Sequence, residues 1–203
     1  MDQKVSWLAS ILLVLFYVVF SLFAVSHFPG SFSPLSNWLS DLGSNELNPK
    51  GAIFYNIGII LGGFFSLVFF LGLSTWIKKD KKIQNIMVYL TQLFGVLGGL
   101  SMILSAVFPI TAKEIHSFLS ATLYIFFGTA FTFIIFALRY YSKFPKWLLA
   151  LGILTVVVNI VWSLILNVFP LEWATVGLFL LFILLIGITT KNRDRYLDQQ
   201  LNN

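Results

Sequence analysis

Polar and apolar positions are unevenly distributed along this chain, which alternates six long apolar runs with short polar segments. None of the runs contains Asp, Glu, Lys or Arg, and each is long enough to cross the roughly 30 Å hydrocarbon layer of a bilayer. Because unpaired backbone groups are costly in lipid, each run is predicted to be a helix. The predicted spans are 5–28, 52–77, 86–112, 118–138, 147–171 and 174–190.

The composition agrees with a membrane protein. Of the 203 residues, 58% are hydrophobic and only 10% are charged, whereas a soluble domain carries about 25% charged residues. The sequence therefore predicts a single all-α domain over 1–203, a polytopic membrane protein with six transmembrane helices. Lys4 and the small residues at 24–26 resemble a cleaved signal peptide. However, an uninterrupted apolar core of about 20 residues exceeds the usual 7–15, which favours a retained first helix.

The positive charges predict the orientation. The N-terminus, the second and fourth connections and the tail hold eleven of the 13 Lys and Arg residues, and the other connections hold only Lys50 and Lys113. By the positive-inside rule, both termini are predicted to be cytoplasmic and 29–51 to lie outside the cell membrane. The net charge of +5 then follows from topology, so we expect no nucleic-acid partner. Tryptophans at the predicted membrane edges are typical of aromatic belts: Trp7, Trp76, Trp147 and Trp173.

The absence of cysteine excludes disulfides, thiol catalysis and Cys–zinc sites, and no cofactor is predicted. Glycines spaced by four residues allow close helix packing within a membrane, and this spacing occurs at Gly58 with Gly62 and at Gly95 with Gly99. We expect these faces to pack the second helix on the third. The alternative is a homo-oligomer formed through the same faces.

The longest polar stretch before the tail, FSPLSNWLSDLGSNELNPKG at 32–51, lies in the first predicted outer loop. Pro34 suits the first turn of a helix and Gly43 suits its end. A short amphipathic helix is therefore predicted over 34–42, with four apolar residues at helical spacing: Leu35, Trp38, Leu39 and Leu42. Asp41 would lie in the last turn, where a carboxylate opposes the helix dipole. We therefore expect Asp41 to have a partner outside this helix.

Other polar residues are predicted on the same side of the membrane. A carboxylate that hydrogen-bonds a histidine can set its tautomer and basicity, so Asp41 and His116 are the candidate catalytic residues. The candidate substrate-binding residues are His27, Ser40, Asn48 and Asn56. No metal site is predicted, because no ligand spacing such as HExxH occurs. A Ser40–His116–Asp41 triad is disfavoured, since adjacent helical residues project about 100° apart.

Three motifs resemble those of the six-helix prokaryotic membrane family filed as domain of unknown function 998. They are Ser40-Asp41-Leu42-Gly43, then Asn48-Pro49 leading to Asn56, and later Phe108-Pro109 followed by His116. One departure is visible, because family members often carry an acidic residue just after Phe-Pro, where this chain has Ile110. The histidine motif is also distantly similar to that of Frag/DRAM/Sfk-like membrane proteins, some of which are linked to lipid-anchor remodelling or lipid distribution.

The function expected from these features is lipid binding or lipid modification at a polar outer-leaflet site, with membrane lipids as partners. Whether the protein is an enzyme is left open. One alternative is a sensing or assembly protein that makes and breaks no bond. Another is an uncoupled transporter, since coupled transporters commonly use ionisable residues inside the membrane and the predicted spans have none.

Overall fold

The computed structural model describes residues 2–197, and six of its helices are long and apolar enough to cross a membrane. The prediction of an all-α polytopic membrane protein is confirmed. The helices are α1 (Gln3–Ser26), α2 (Ala52–Gly72), α3 (Lys82–Val107), α4 (Lys113–Leu138), α5 (Lys146–Leu164) and α6 (Phe169–Lys191). Shorter 3₁₀ turns flank them at Leu73–Trp76, Ile110–Ala112 and Arg193–Arg195.

The six helices form a closed ring. Each helix packs on its neighbours in sequence, and α6 returns to pack on α1. Because successive helices alternate in direction, the α1–α2, α3–α4 and α5–α6 connections lie at one end, called here the first-loop side. The termini and the other two connections lie at the opposite end, called the terminal side.

Phenylalanine rings fill the centre of the ring of helices. Phe131 of α4 packs edge-on against Phe179 and Phe182 of α6, with ring centroids 4.9 and 5.2 Å apart. Phe70 of α2 stacks on Phe127 of α4 at 5.6 Å. Such aromatic pairs add to the stability that burial alone gives, so this cluster joins helices that are not adjacent in the ring.

The glycines pack helices of the same chain. A side chain at Gly62 would meet Met102 of α3, and one at Gly95 would meet the ring of Phe70 in α2. Gly99 likewise packs on α2, whereas Gly58 faces Phe20 of α1. The glycines therefore join α2 to α3 as expected, and Gly58 joins α2 to α1 as well. A homo-oligomer through these faces stays a prediction.

The boundary between the fifth and sixth helices differs from the prediction. The fifth span was predicted over 147–171 and the sixth over 174–190, but α5 ends at Leu164 and α6 begins at Phe169. Pro170 lies in the first turn of α6, where its missing N–H costs no hydrogen bond. As a consequence Glu172 lies in the first turn of a helix long and apolar enough to cross a membrane, whereas the prediction placed it between the fifth and sixth spans.

The first-loop helix also differs from the prediction. A helix was expected over 34–42, but the chain forms only a five-residue 3₁₀ helix, Leu39–Gly43, which we call the first-loop helix. Leu39 and Leu42 are buried as expected, whereas Leu35 is 76% exposed and belongs to a preceding turn. Asp41 therefore lies near the start of this helix, where a carboxylate agrees with the helix dipole.

Trp76 lies within the bundle and not in an aromatic belt at the membrane edge. Its side chain is fully buried. The indole Nε1 donates a hydrogen bond of 3.0 Å to the Thr190 hydroxyl of α6. The ring thus joins the end of α2 to the end of α6 on the terminal side.

Candidate functional site

A cavity of about 630 Å³ occupies the first-loop half of the bundle. All six helices contribute to its wall, and the Phe127 and Phe179 rings line the end nearest the aromatic centre. Trp38, Ser40 and Gly43 of the first loop line the opposite end. Its volume falls in the roughly 300–1,000 Å³ range of pockets that hold small molecules. The ring of helices is thus filled at its centre and open on the first-loop side.

The most unusual group in the wall of this cavity is the carboxylate of Glu172. Its side chain lies in the first turn of α6 and is only 7% exposed. One carboxylate oxygen accepts a hydrogen bond of 2.9 Å from the backbone N–H of Leu39. The N-terminal turn of α6 favours a negative charge at this position. Glu172 therefore connects α6 to the first-loop helix and also faces the cavity.

Three tyrosines surround this carboxylate. Tyr17 of α1 and Tyr55 of α2 interact through their hydroxyl groups, with ring centroids 6.5 Å apart. Tyr124 of α4 interacts with the carboxylate of Glu172 itself. All three rings are buried and line the cavity. Hydroxyl groups from three helices thus face a carboxylate from a fourth.

No lysine or arginine in the cavity wall balances the charge of Glu172. The residues that line the cavity include neither Lys nor Arg. Within the part of the chain that the structure describes, the one ion pair joins Arg193 to Asp194 on the terminal side. A buried charge without an opposite charge is costly. An ionisable residue inside a membrane span is therefore a candidate for function.

His116 of α4 lines the same cavity, and its tautomer follows from its hydrogen bonds. Its Nδ1 lies 2.9 Å from the Phe108 carbonyl and 3.1 Å from the Ser105 carbonyl. Because a carbonyl can only accept, Nδ1 carries the proton. Nε2 lies 3.3 Å from the Ser120 hydroxyl that also lines the cavity. In the neutral ring this nitrogen is a hydrogen-bond acceptor.

Trp162 of α5 provides a hydrogen-bond donor that has no partner. Its Nε1 atom is buried and makes no hydrogen bond within residues 2–197. The indole packs on the Tyr124 ring with centroids 4.3 Å apart, and it lines the cavity. Buried polar groups are almost always hydrogen-bonded. An unpaired indole N–H in the wall of a cavity therefore points to an acceptor on a bound molecule.

The cavity reaches the surface of the bundle between α4 and α5. Asn159 of α5 donates a hydrogen bond of 3.2 Å to the Tyr124 carbonyl and joins the two helices there. Beyond that level α4 continues for eleven residues to Lys113, about 16 Å, but α5 continues for only five to Leu164, about 8 Å. The gap beside α4, called here the window, is lined by exposed residues: Ser117, Ala121, Ile125, Ser163, Leu164 and Asn167.

Three of the predicted site residues line the cavity, namely Ser40, Asn56 and His116. The Asn56 amide donates a hydrogen bond of 3.1 Å to the Gly43 carbonyl, which joins α2 to the end of the first-loop helix. Ser40 lies on the same helix and is half-buried. The structure therefore brings the first loop, α2 and α4 together around one space.

Asp41 is placed differently from its predicted partner His116. Its carboxylate accepts a hydrogen bond of 2.9 Å from the Trp38 backbone N–H and closes the start of the first-loop helix. It is buried but is not part of the cavity wall. Burial raises the pKa of Asp41 above its usual value, and the hydrogen bonds from Trp38 and Asn37 oppose this shift. The pairing of Asp41 with His116 stays a prediction.

Asn48 and His27 make contacts away from the cavity wall. The fully buried Asn48 amide donates to the carbonyls of Ala24 and Leu42, at 3.1 and 3.0 Å. Its oxygen accepts from the Gly51 N–H at 3.1 Å, so Asn48 ties the loop to α1 and α2. His27 is exposed, and its Nδ1 donates to the carbonyl of Phe23 at 2.8 Å.

The sequence argument missed Glu172, Tyr124 and Trp162 as cavity residues. Each lies in or beside an apolar run and shows no spacing that marks a site. The one usable signal was Pro170, because proline followed by an acidic residue is typical of the first turn of a helix. That pattern would have moved Glu172 into the sixth span. Within the described residues, no cluster of three or more His, Asp or Glu side chains is placed to hold a metal ion.

Comparison with known proteins gives one finding. Neither the curated proteins nor the solved structures contain a match. The model of one family, described as "Protein of unknown function (DUF998)", matches residues 11–190, which include four helices in full and most of α1 and α6. The chain therefore belongs to the DUF998 family of proteins of unknown function.

Proposed function

We propose that this protein binds a membrane lipid in the cavity of the first-loop half. The polar head lies against Glu172 and the tyrosines, and an acyl chain leaves through the window between α4 and α5. The observation that carries the proposal is the window itself. The exposed residues that line a cavity with a buried carboxylate all lie on two neighbouring membrane-spanning helices and the connection that follows them.

The end of α5 and the residues that follow it support this route. Leu164, the last residue of α5, is 78% exposed, and the next two residues, Ile165 and Leu166, are 68% and 52% exposed. Three successive exposed apolar side chains are unfavourable in water but suit contact with hydrocarbon. The window beside these residues would then lie at the depth of the acyl chains. A lipid could reach the cavity without leaving the bilayer.

The cavity would face the outer leaflet of the cell membrane. This orientation rests on the distribution of charge, since eleven of the 13 Lys and Arg residues lie on the terminal side. By the positive-inside rule that side is cytoplasmic. The first-loop side, with the cavity, then faces outward.

The residues around the cavity have distinct roles in this proposal. Glu172 accepts hydrogen bonds from the head group, and the Trp162 N–H donates to an oxygen of the lipid. Ser117 and Asn167 lie at the window, where they can hydrogen-bond the part of the lipid that crosses it. Phe127 and Phe179 close the cavity toward the aromatic centre, which keeps the lipid on the first-loop side.

Native mass spectrometry of the gently purified protein tests the proposal. Wild type is expected to retain one lipid molecule that survives detergent exchange. Ala121→Trp places a bulky ring in the window and is expected to reduce that retention at least tenfold. Ala150→Trp is the matched control, because Ala150 is an exposed α5 residue outside the cavity wall. Equal lipid retention by the two variants, or only bulk lipid on the wild type, would refute the proposal.

Proton-coupled transport is the second candidate, and Glu172 is the observation that favours it. The sequence argument against coupled transport rested on spans without ionisable residues, and Glu172 removes that argument. A carboxylate in a span can carry a proton between two conformations. Proteoliposomes that contain a pH-sensitive dye test this candidate. Substrate-dependent proton movement that is lost in Glu172→Gln would support transport, whereas lipid retention without such movement would support binding alone.

A further inference from the structure

The charge of the cavity wall indicates which chemical class of lipid the cavity would bind, an inference that rests on the proposed function. We infer that the cavity selects a lipid whose head group carries a protonated amine. Such a group supplies the positive charge that the wall lacks around Glu172.

The first argument is the sign of the charge. Glu172 is buried without a basic partner, and Asp41 lies close enough to add a second negative charge. A head group with a net negative charge would add to these charges, because neither Lys nor Arg lines the wall to balance it. A head group with a positive charge would instead compensate a buried carboxylate.

The second argument is the shape and chemistry of the surrounding side chains. Aromatic rings on four helices, Tyr17, Tyr55, Tyr124 and Trp162, line the cavity that Glu172 faces. Aromatic faces attract cations, most strongly where water is excluded. An ammonium group also has N–H donors for the Glu172 carboxylate and the tyrosine oxygens. The wall thus offers acceptors and ring faces to an amine.

The third argument is the unpaired Trp162 N–H. An ammonium group has no acceptor for this donor. A lipid that carries an amine on a phosphodiester or ester backbone has both kinds of group. Its amine can lie at Glu172 while one of its oxygens accepts from Trp162. The cavity therefore fits an amino phospholipid better than an isolated amine.

Lipid competition in nanodiscs tests this inference. The probes are phosphatidylethanolamine, its N-acetyl derivative and phosphatidylglycerol, all with the same acyl chains and in equal amounts. Native mass spectrometry of the released wild-type protein is expected to show at least tenfold more phosphatidylethanolamine than either of the other lipids. N-acetylation removes the positive charge and leaves the chains unchanged, so the comparison isolates the amine.

Two variants assign the selectivity to the cavity. Glu172→Gln is expected to retain lipid but to lose the preference, so that the three lipids are retained within about twofold of one another. Glu114→Gln removes one negative charge from an exposed position on the same side and is expected to keep the preference. Trp162→Phe is expected to weaken retention of all three lipids without changing their ratio. Its ring keeps the packing against Tyr124, so a folding defect is not expected.

The outcomes separate the two proposals. Equal retention of the three lipids by wild type, or a preference that survives Glu172→Gln, would overturn the amine inference and leave lipid binding in place. Loss of all bound lipid in wild type would overturn both. If Glu172→Gln fails to fold, the ratio of the three lipids on wild type still decides the inference.

Discussion

The two halves of this bundle use the same six helices but fill the space between them differently. On the terminal side, Trp76 is fully buried and packs edge-on against Tyr141 and Phe144, with ring centroids 5.1 and 6.0 Å apart. The Tyr141 hydroxyl donates a hydrogen bond of 3.0 Å to the Trp76 carbonyl. On the first-loop side, the corresponding space is a cavity of about 630 Å³ beside Glu172.

This difference shows where the chain gains stability and where it keeps room for a ligand. Dense packing of large rings contributes most to the stability of a folded core. A cavity forgoes those contacts, and a buried carboxylate without a cation adds a further cost. A protein retains such a region when the region has a function. We therefore expect changes on the terminal side to alter stability and changes at the cavity to alter binding.

Trp76→Ala is expected to have the largest effect. The change leaves a cavity in the dense half and removes the hydrogen bond to Thr190, so the expected loss is roughly 3–5 kcal/mol. Thermal unfolding in detergent micelles, followed by size-exclusion chromatography, measures it. Trp147→Ala is the control, because Trp147 is 60% exposed. If the two variants melt alike, the terminal half is not the stable half.

Asn48→Ala tests whether the loop on the first-loop side has a stabilising role apart from the cavity. The change removes three hydrogen bonds. The Leu42 carbonyl loses its Asn48 donor, whereas the Ala24 carbonyl keeps the backbone N–H of His27. Because orphaned buried groups cost about 1–3 kcal/mol, the melting temperature should fall clearly. The exposed residue Asn45 provides the control, Asn45→Ala. An Asn48→Ala variant as stable as that control would contradict the assignment.

Glu172→Gln sharpens the comparison, because it should separate stability from binding. Glutamine keeps an oxygen that can accept from the Leu39 N–H and removes the uncompensated charge. The stability of the lipid-free protein is therefore expected to stay within about 1 kcal/mol of wild type, or to rise. Melting of the delipidated protein measures this, with Glu114→Gln as the control. A loss of stability as large as that of Asn48→Ala would instead mean that the Glu172 carboxylate stabilises the fold through its contact with the first-loop helix.

Most of the fold could be predicted from the sequence, because lipid leaves the backbone few alternatives. Six uncharged apolar runs gave six helices, and the hydropathy pattern alone was sufficient. The ends of the fifth and sixth helices could not be placed from hydropathy, since 165–171 is apolar whether it is helix or loop. The predicted fifth span, 147–171, included Pro170, whereas Pro170 lies in the first turn of α6.

The cavity was harder to predict, because it depends on contacts between helices that are distant in sequence. Polar positions such as Ser40, Asn56 and His116 predicted that the site lies on the first-loop side, and these three residues line the cavity. The carboxylate of the cavity, Glu172, was not predicted, because the polar residues of the first loop indicated Asp41 instead. Periodicity shows which face of a helix is apolar, but it does not show whether six such faces meet or leave a space.

Asp41→Asn is expected to have the smallest effect, and its sign depends on pH. Burial raises the pKa of Asp41 above its usual value, and the nearby carboxylate of Glu172 adds no stabilising charge. A raised pKa in the folded state means that the protonated form is the better tolerated one. The contribution of protonated Asp41 to the free energy of unfolding is fully present below the ordinary aspartate pKa of about 3.9. It is lost as the pH rises through the pKa of Asp41 in the folded protein. Asparagine does not titrate and can still accept from the Trp38 N–H.

The stability of wild type relative to Asp41→Asn should therefore fall as the pH rises above the ordinary aspartate pKa of about 3.9, by less than roughly 1 kcal/mol. Melting temperatures of both proteins across this rise in pH measure the difference, and the exposed Asp80→Asn controls for the loss of one negative charge. The opposite slope would mean that interactions with the charged carboxylate outweigh burial in the folded protein. The hydrogen bonds from Trp38 and Asn37 are one source of such stabilisation, and the predicted pairing with His116 is the other. Loss of this opposite slope in His116→Ala would identify the pairing with His116.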